Sequence, residues 1–154
     1  MGVVPLELHD GRLTDFTGMY AAPAHVRVGW VRKGVRAAEL KDMIGRMGVA
    51  QEVLLKQLKL SAATVNRKAR RDEGLSSEDS ERVMGVARLI GQVQTMVEES
   101  GDPEGFDAAR WVARWLETPL PALGGETPGS YMDTMQGQAM ISNLLAMAQS
   151  GAYA

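Results

Sequence analysis

Apolar residues recur at helical spacing along most of the chain. The longest stripe is Val83, Val86, Ala87, Ile90, Val93 and Val97, sustained over roughly four turns. Ser76 with Asp79 forms an acidic variant of the capping box, which opens that helix. Upstream, Leu40, Met43, Ile44 and Met47 sit at i, i+3, i+4 and i+7, and Gly48 supplies a C-terminal stop. Val53, Leu54 and Leu58 mark a second short helix. Ser61 caps a third, running through Thr64 and Val65 to about Arg70, after a break at Lys59-Leu60.

Downstream, Gly101-Asp102-Pro103 ends the long stripe, with Asp102 and Pro103 fitting the N-cap and first position of the next helix. That helix carries Ala108, Trp111, Val112, Trp115 and Leu116. The two tryptophans, four apart on one face, read as core against the Val83–Val97 stripe. Thr127-Pro128 repeats the cap-then-proline start. Asp133-Thr134 leads into a last helix with Ile141, Leu144, Leu145 and Ala148, stopped near Gly151. Residues 1–26 hold Pro5, Gly11, Gly18 and Pro23 without a sustained period and read as loop or peripheral extension. Residues 25–31 alternate, which fits a short strand or the lead-in to a helix.

The predicted architecture is all-α, in three parts. Residues 1–29 form an unassigned extension, residues 30–75 a helix-turn-helix region and residues 76–154 a small helical C-terminal domain. Inside the last part lies Thr118-Pro119-Leu120-Pro121-Ala122-Leu123-Gly124-Gly125-Glu126-Thr127-Pro128. Three prolines and paired glycines exclude regular structure there. Leu120, Ala122 and Leu123 make the loop apolar enough to pack, as a rigid corner that places the last helix.

Composition narrows the class. The 154 residues fit one domain or two very small ones, and an apolar fraction of 45% excludes wholesale disorder. No cysteine occurs, so disulfide and zinc-knuckle scaffolds are excluded. The N-terminus reads as no signal peptide and no window is apolar enough to span a bilayer, so a cytoplasmic protein without a membrane partner is expected. The net charge of −2 hides an asymmetry: residues 1–75 carry a net +5 and residues 76–154 a net −7. Two different partners would suit that split, with phosphate a candidate for the basic half; chance clustering on solvated faces would also produce it.

The short helices around residues 51–67 describe a helix-turn-helix with Leu60 and Val65 buried between them. In such a motif the start of the second helix faces base edges in the major groove. Ser61, Ala62, Ala63, Thr64 and Asn66 occupy that position, and Arg67, Lys68, Arg70 and Arg71 lie toward the phosphates. Leu55 stands where many such motifs carry a small residue, Lys59 where glycine commonly makes the turn. Ala62 and Ala63 offer a methyl group but no hydrogen bond to a base. The alternative is a helical bundle with a solvated basic face.

Catalytic signals are thin. The only histidines, His9 and His25, have no second ligand at metal spacing and read as surface or packing residues. Glu98-Glu99 reads as a solvated helix end, and Gly124-Gly125-Glu126-Thr127 lacks the lysine and spacing of a phosphate-binding loop. No enzyme activity, catalytic residue, metal or cofactor is expected. The apolar content of the long stripe and last helix leaves material for a homodimer interface. The terminal Gly151, Ala152, Tyr153 and Ala154 combine small residues fit for a narrow cleft with an aromatic anchor and a carboxylate. A frayed chain end is the plainer alternative.

The segment Arg114-Trp115-Leu116-Glu117-Thr118-Pro119 through Thr127-Pro128, then Met132-Asp133-Thr134 and a final helix ending Gly-x-Tyr-Ala, resembles the C-terminal domain of the Xre/MbcA/ParS antitoxins. The Arg32-Lys33-Gly34 lead-in, the helix-turn-helix and the Gly74-Leu75-Ser76 boundary resemble that family's N-terminal half. The resemblance covers about residues 30–154, and Pro-Ala-Leu-Gly-Gly-x-Thr-Pro is its most specific part. It implies a type II toxin–antitoxin role, with residues 76–154 binding a RES-domain toxin that consumes or uses NAD. Gly151, Ala152, Tyr153 and Ala154 would then occupy the toxin cleft. Ser61, Ala62, Thr64, Asn66 and Arg67 would face double-stranded operator DNA, so that a homodimer represses its own operon. The alternative is a stand-alone helix-turn-helix regulator whose C-terminal domain only dimerises or senses a ligand.

Overall fold

A computed structural model describes residues 10–150. Among them stand eight α-helices and no strand. They are α1 (Phe16–Ala21), α2 (Ala24–Lys33), α3 (Ala37–Met47), α4 (Gln51–Leu58), α5 (Ala62–Arg70), α6 (Ser77–Ser100), α7 (Ala108–Leu116) and α8 (Met135–Ser150). Two 3-10 turns, Pro121–Leu123 and Pro128–Tyr131, fill the corner between α7 and α8.

The 24-residue α6 is the spine, contacted by α1, α2, α7 and α8. Ser76 caps it as its sequence predicts, the Asp79 N–H donating to Ser76 Oγ at 3.1 Å. Val83, Val86, Ala87, Ile90 and Val93 are all buried. Val97 is only half-buried, because the helix runs on past the core.

The N-terminal expectation of loop is overturned. Residues 16–21 and 24–33 are helical, and the alternating residues 25–31 belong to α2 rather than to a strand. Leu13 and Met19 are fully buried. The short helix hid its signal because its contact is backbone to backbone. A Cβ on Gly91 of α6 would lie 2.0 Å from the Phe16 carbonyl oxygen, so only glycine admits α1 that closely.

The next correction concerns α7. Its cap is Asp107, whose Oδ1 accepts from the Arg110 N–H at 3.1 Å, whereas Asp102 only turns the chain by accepting from the Glu104 N–H. Gly101 stops α6 in the left-handed region at φ 115°, and residues 101–106 form a connection too long for the compact stop-and-restart first read there. The tryptophans pack against the core, at its edge rather than inside it. Trp111 and Trp115 stack on one another, centroids 5.7 Å apart, and are half-buried. Val112, Leu116, Ala108, Ala109 and Ala113 fill the core instead. In α8, Ile141, Leu144 and Leu145 are buried while Ala148 is exposed.

One continuous core joins both halves, with Leu40, Met43, Met47, Leu54 and Leu58 meeting Ile90, Leu116, Met132 and Ile141. Methionine suits such an irregular junction, being unbranched and adaptable. Around it, the Leu75 N–H donates to the Val35 carbonyl at 2.7 Å and the Val35 N–H to Ser80 Oγ at 2.8 Å. These bonds pin α3–α5 to the start of α6.

Candidate functional site

The basic face is built on α4 and α5. Leu54, Leu55, Leu58, Leu60 and Val65 bury the angle between the two helices, so Leu55 is accommodated despite its bulk. Ser61 caps α5 by accepting the Thr64 N–H at 3.2 Å. The turn is made by Lys59, which adopts the left-handed region at φ 55° and ψ 44°. A side chain there costs about 1 kcal/mol relative to glycine. Lys59 Nζ also reaches Asp133 Oδ2 at 3.0 Å, across to the residues that lead into α8. The hydrogen bond from Lys59 holds the Asp133 carboxyl below the usual carboxylate range, against partial burial, with Arg82 adding a further favourable charge.

Ser61, Ala62, Ala63, Arg67, Arg70 and Arg71 are exposed, and Thr64 and Lys68 are half-buried on the same helix. Asn66 is placed less freely than its position in the motif implies. Its Oδ1 accepts from Lys41 Nζ at 2.6 Å and from Gln51 Nε2 at 3.0 Å, which ties α5 to α3 and α4. Only its amide N–H groups remain to donate outward. Lys41, an exposed cation on α3, thus joins the basic face. Sequence spacing alone had no means to bring it there.

The second candidate surface is the C-terminal arm. The corner after α7 closes on itself, the Leu120 N–H donating to the Glu126 carbonyl at 3.0 Å and the Gly125 N–H to the Leu120 carbonyl at 2.9 Å. Pro128 and Gly129 are buried beneath α4. A Cβ on Gly129 would lie 2.6 Å from Gln57 Nε2 and 2.7 Å from the Leu116 carbonyl oxygen, so this glycine lets the corner seat against α4 and α7. Tyr131 hydrogen-bonds Glu126, which raises its phenol above the usual range.

Thr134 then starts α8, its Oγ1 accepting the Gly137 N–H at 3.0 Å. No charged residue occurs in α8, although Ala139, Met140, Asn143, Ala146 and Met147 are exposed. Met140 and Met147 are 40% and 45% exposed and lie seven apart, on one face. Gly151, Ala152, Tyr153 and Ala154, the predicted cleft-filling residues, lie outside the described residues. His25 is exposed on α2; His9 also lies outside the described residues.

Comparison with known proteins separates the same two regions. Residues 29–88 match the antitoxin Xre-like helix-turn-helix domain, and residues 104–151 match the antitoxin Xre/MbcA/ParS C-terminal toxin-binding domain. A Prs ADP-ribosylating antitoxin from a Sphingobium species is 50% identical over 139 residues, covering 90% of this chain and 87% of the relative. The chain belongs to the Xre/MbcA/ParS antitoxin family. An antitoxin Xre from Yersinia enterocolitica is 21% identical over 136 residues, covering 88% of this chain and 86% of the relative.

The two surfaces of the antitoxin thereby acquire meaning. The charge-free α8 belongs to the toxin-binding region, and α4–α5 to the helix-turn-helix. A toxin partner follows from the family. The packed helix α1 precedes both matched segments, yet the long alignment with the Sphingobium relative covers nine-tenths of the chain. Among the described residues, no helix is long and apolar enough to cross a membrane.

Proposed function

We propose that this antitoxin neutralises a RES-domain, NAD-consuming toxin in the cytoplasm, with α8 docking on the toxin and residues 151–154 entering or covering its active-site cleft. The observation that carries this reading is α8 itself. A partly exposed helix without one charge, inside the toxin-binding match and leading straight to residue 151, suits burial against a partner. The words "ADP-ribosylating" in the name of the Sphingobium relative fit a toxin that uses NAD. We read them as describing the partner's chemistry, since the relative itself is named an antitoxin.

Tyr153 then fills an aromatic slot in the cleft that takes NAD. Inhibition is steric occlusion, and the acidic half of the antitoxin complements a basic toxin surface. At the other end, α5 enters the major groove of operator DNA and the protein acts as a homodimer that represses its own operon. Ser61, Ala62, Thr64 and Asn66 face the bases; Arg67, Lys68, Arg70 and Arg71 meet phosphates.

The test is co-expression with the product of the adjacent gene, comparing the full chain with a version ending at Ser150. Growth and cellular NAD are the readouts. The truncated chain should still co-purify with the toxin but fail to protect NAD. Full protection by the truncated chain would replace the plug with surface wrapping by α8. Operator binding without any co-purifying toxin would favour the stand-alone regulator.

A further inference from the structure

Ala62, Ala63, Asn66 and Arg70 stand on one face of α5, at i, i+1, i+4 and i+8. Ala62, Ala63 and Arg70 are exposed, and Asn66 among them is half-buried. The two alanines offer methyl groups only. Asn66 is therefore the first side chain along this face that can hydrogen-bond a base.

Its carboxamide is not free to choose how. Lysine carries three N–H donors and no acceptor. The Asn66 atom 2.6 Å from Lys41 Nζ is thus the carbonyl oxygen Oδ1, because the flipped amide would set N–H groups against an ammonium. Gln51 Nε2 donates to the same oxygen at 3.0 Å. A carboxamide oxygen has two lone pairs, and here both are used. The bond from Lys41 is charge-assisted, hence the stronger of the two. Among the described residues Lys41 has no carboxylate partner, so no ion pair draws its ammonium away from Asn66.

We propose that Asn66 reads a guanine in the major groove as a pure donor, with Lys41 and Gln51 as the residues that position it. The proposal deepens the operator-binding reading and rests on it. A free asparagine suits adenine, whose N7 acceptor and N6 donor match the two ends of the amide. With Oδ1 occupied, the adenine N6 amino group meets no acceptor there and loses its water uncompensated. Guanine presents two acceptors side by side, N7 and O6, to the N–H groups of Nδ2. The neighbouring ammonium also polarises those N–H groups, which strengthens them as donors.

Fluorescence anisotropy on duplex DNA from upstream of the protein's own gene tests this, with each base pair of the footprint changed in turn. Circular dichroism checks that every variant is folded. At one position the wild type should prefer guanine over adenine by about fivefold or more, a usual cost of one wrong base pair. Asn66→Ala should abolish the preference at that position and leave the others. Lys41→Met with Gln51→Leu frees Oδ1 and should move the same position toward adenine. Losing the lysine charge weakens all sequences alike, so the ratio of the two affinities is the readout. Placing 7-deazaguanine at that position should weaken the wild type and leave Asn66→Ala unchanged.

A wild type that binds, but whose base preferences all survive Asn66→Ala, would overturn the proposal and leave operator binding standing. So would a wild type that prefers adenine at the position Asn66 controls. A Lys41→Met, Gln51→Leu variant with the wild-type ratio would overturn the positioning by those two residues. A wild type with no affinity for the upstream DNA would overturn both readings.

Discussion

The helix-turn-helix and the C-terminal arm share one hydrophobic core, yet their outer faces are opposites. On α5 and its neighbours stand Arg67, Lys68, Arg70, Arg71 and Lys41. On α8 stand Ala139, Met140, Asn143 and Met147 and not one charge. The first surface suits a polyanion, where affinity comes from released counterions and weakens with salt. The second suits an apolar contact, where affinity comes from burial rather than from charge. One core thus carries two kinds of surface, and substitutions on one face should leave the other intact.

The strongest test of that separation is Met140→Glu with Met147→Glu. Charging the centre of an apolar interface should cost about 2–4 kcal/mol of toxin binding, by calorimetry or pull-down, with operator affinity unchanged. Next in size is Arg67→Ala with Arg70→Ala. Loss of two phosphate contacts should weaken operator binding about tenfold at moderate salt and make the salt slope shallower by about 2, with toxin binding unchanged. If either pair moved both affinities alike, the faces would not be independent.

Smaller effects should come from the Lys59–Asp133 salt bridge, which spans the two regions. The Asp133 carboxyl is held low by Lys59, so its contribution to stability is present above the ordinary carboxylate pKa and is lost as pH falls through Asp133's own lower value. Thermal denaturation of the wild type should lose stability below about pH 4, and Asp133→Asn should flatten that acid limb. An unchanged pH profile in Asp133→Asn would mean the bridge is incidental. Smallest of all is Lys59→Gly. It relieves a left-handed side chain while breaking the bridge, so the net change in unfolding free energy should stay within about 0.5 kcal/mol. Lys59→Val should be clearly worse, because a β-branched residue resists φ 55°.

Much of this was written locally. The α3 stripe, the Ser61 and Ser76 caps and the α6 stripe are decided by residues within one or two turns of each other, so reading them in order recovers them. The C-terminal family signature was legible for the same reason, because prolines and glycines dictate the Pro121–Leu123 corner without help from elsewhere. The first helices were not legible. Six residues make too short a stripe for α1, and its reason to exist is Gly91, far along the chain. The cap of α7 was misread because Asp102-Pro103 and Asp107 both satisfy local rules, and only packing on α6 selects the second.

The candidate sites divide in the same way. Sequence alone placed the cations of α5 on one helix and put the uncharged α8 just ahead of residues 151–154, because side-chain periodicity follows from helix geometry. It could not tell that Asn66 is held by Lys41 and Gln51, or that Lys59 reaches Asp133. Those are distances between elements, set by how whole helices pack, and no local propensity encodes them.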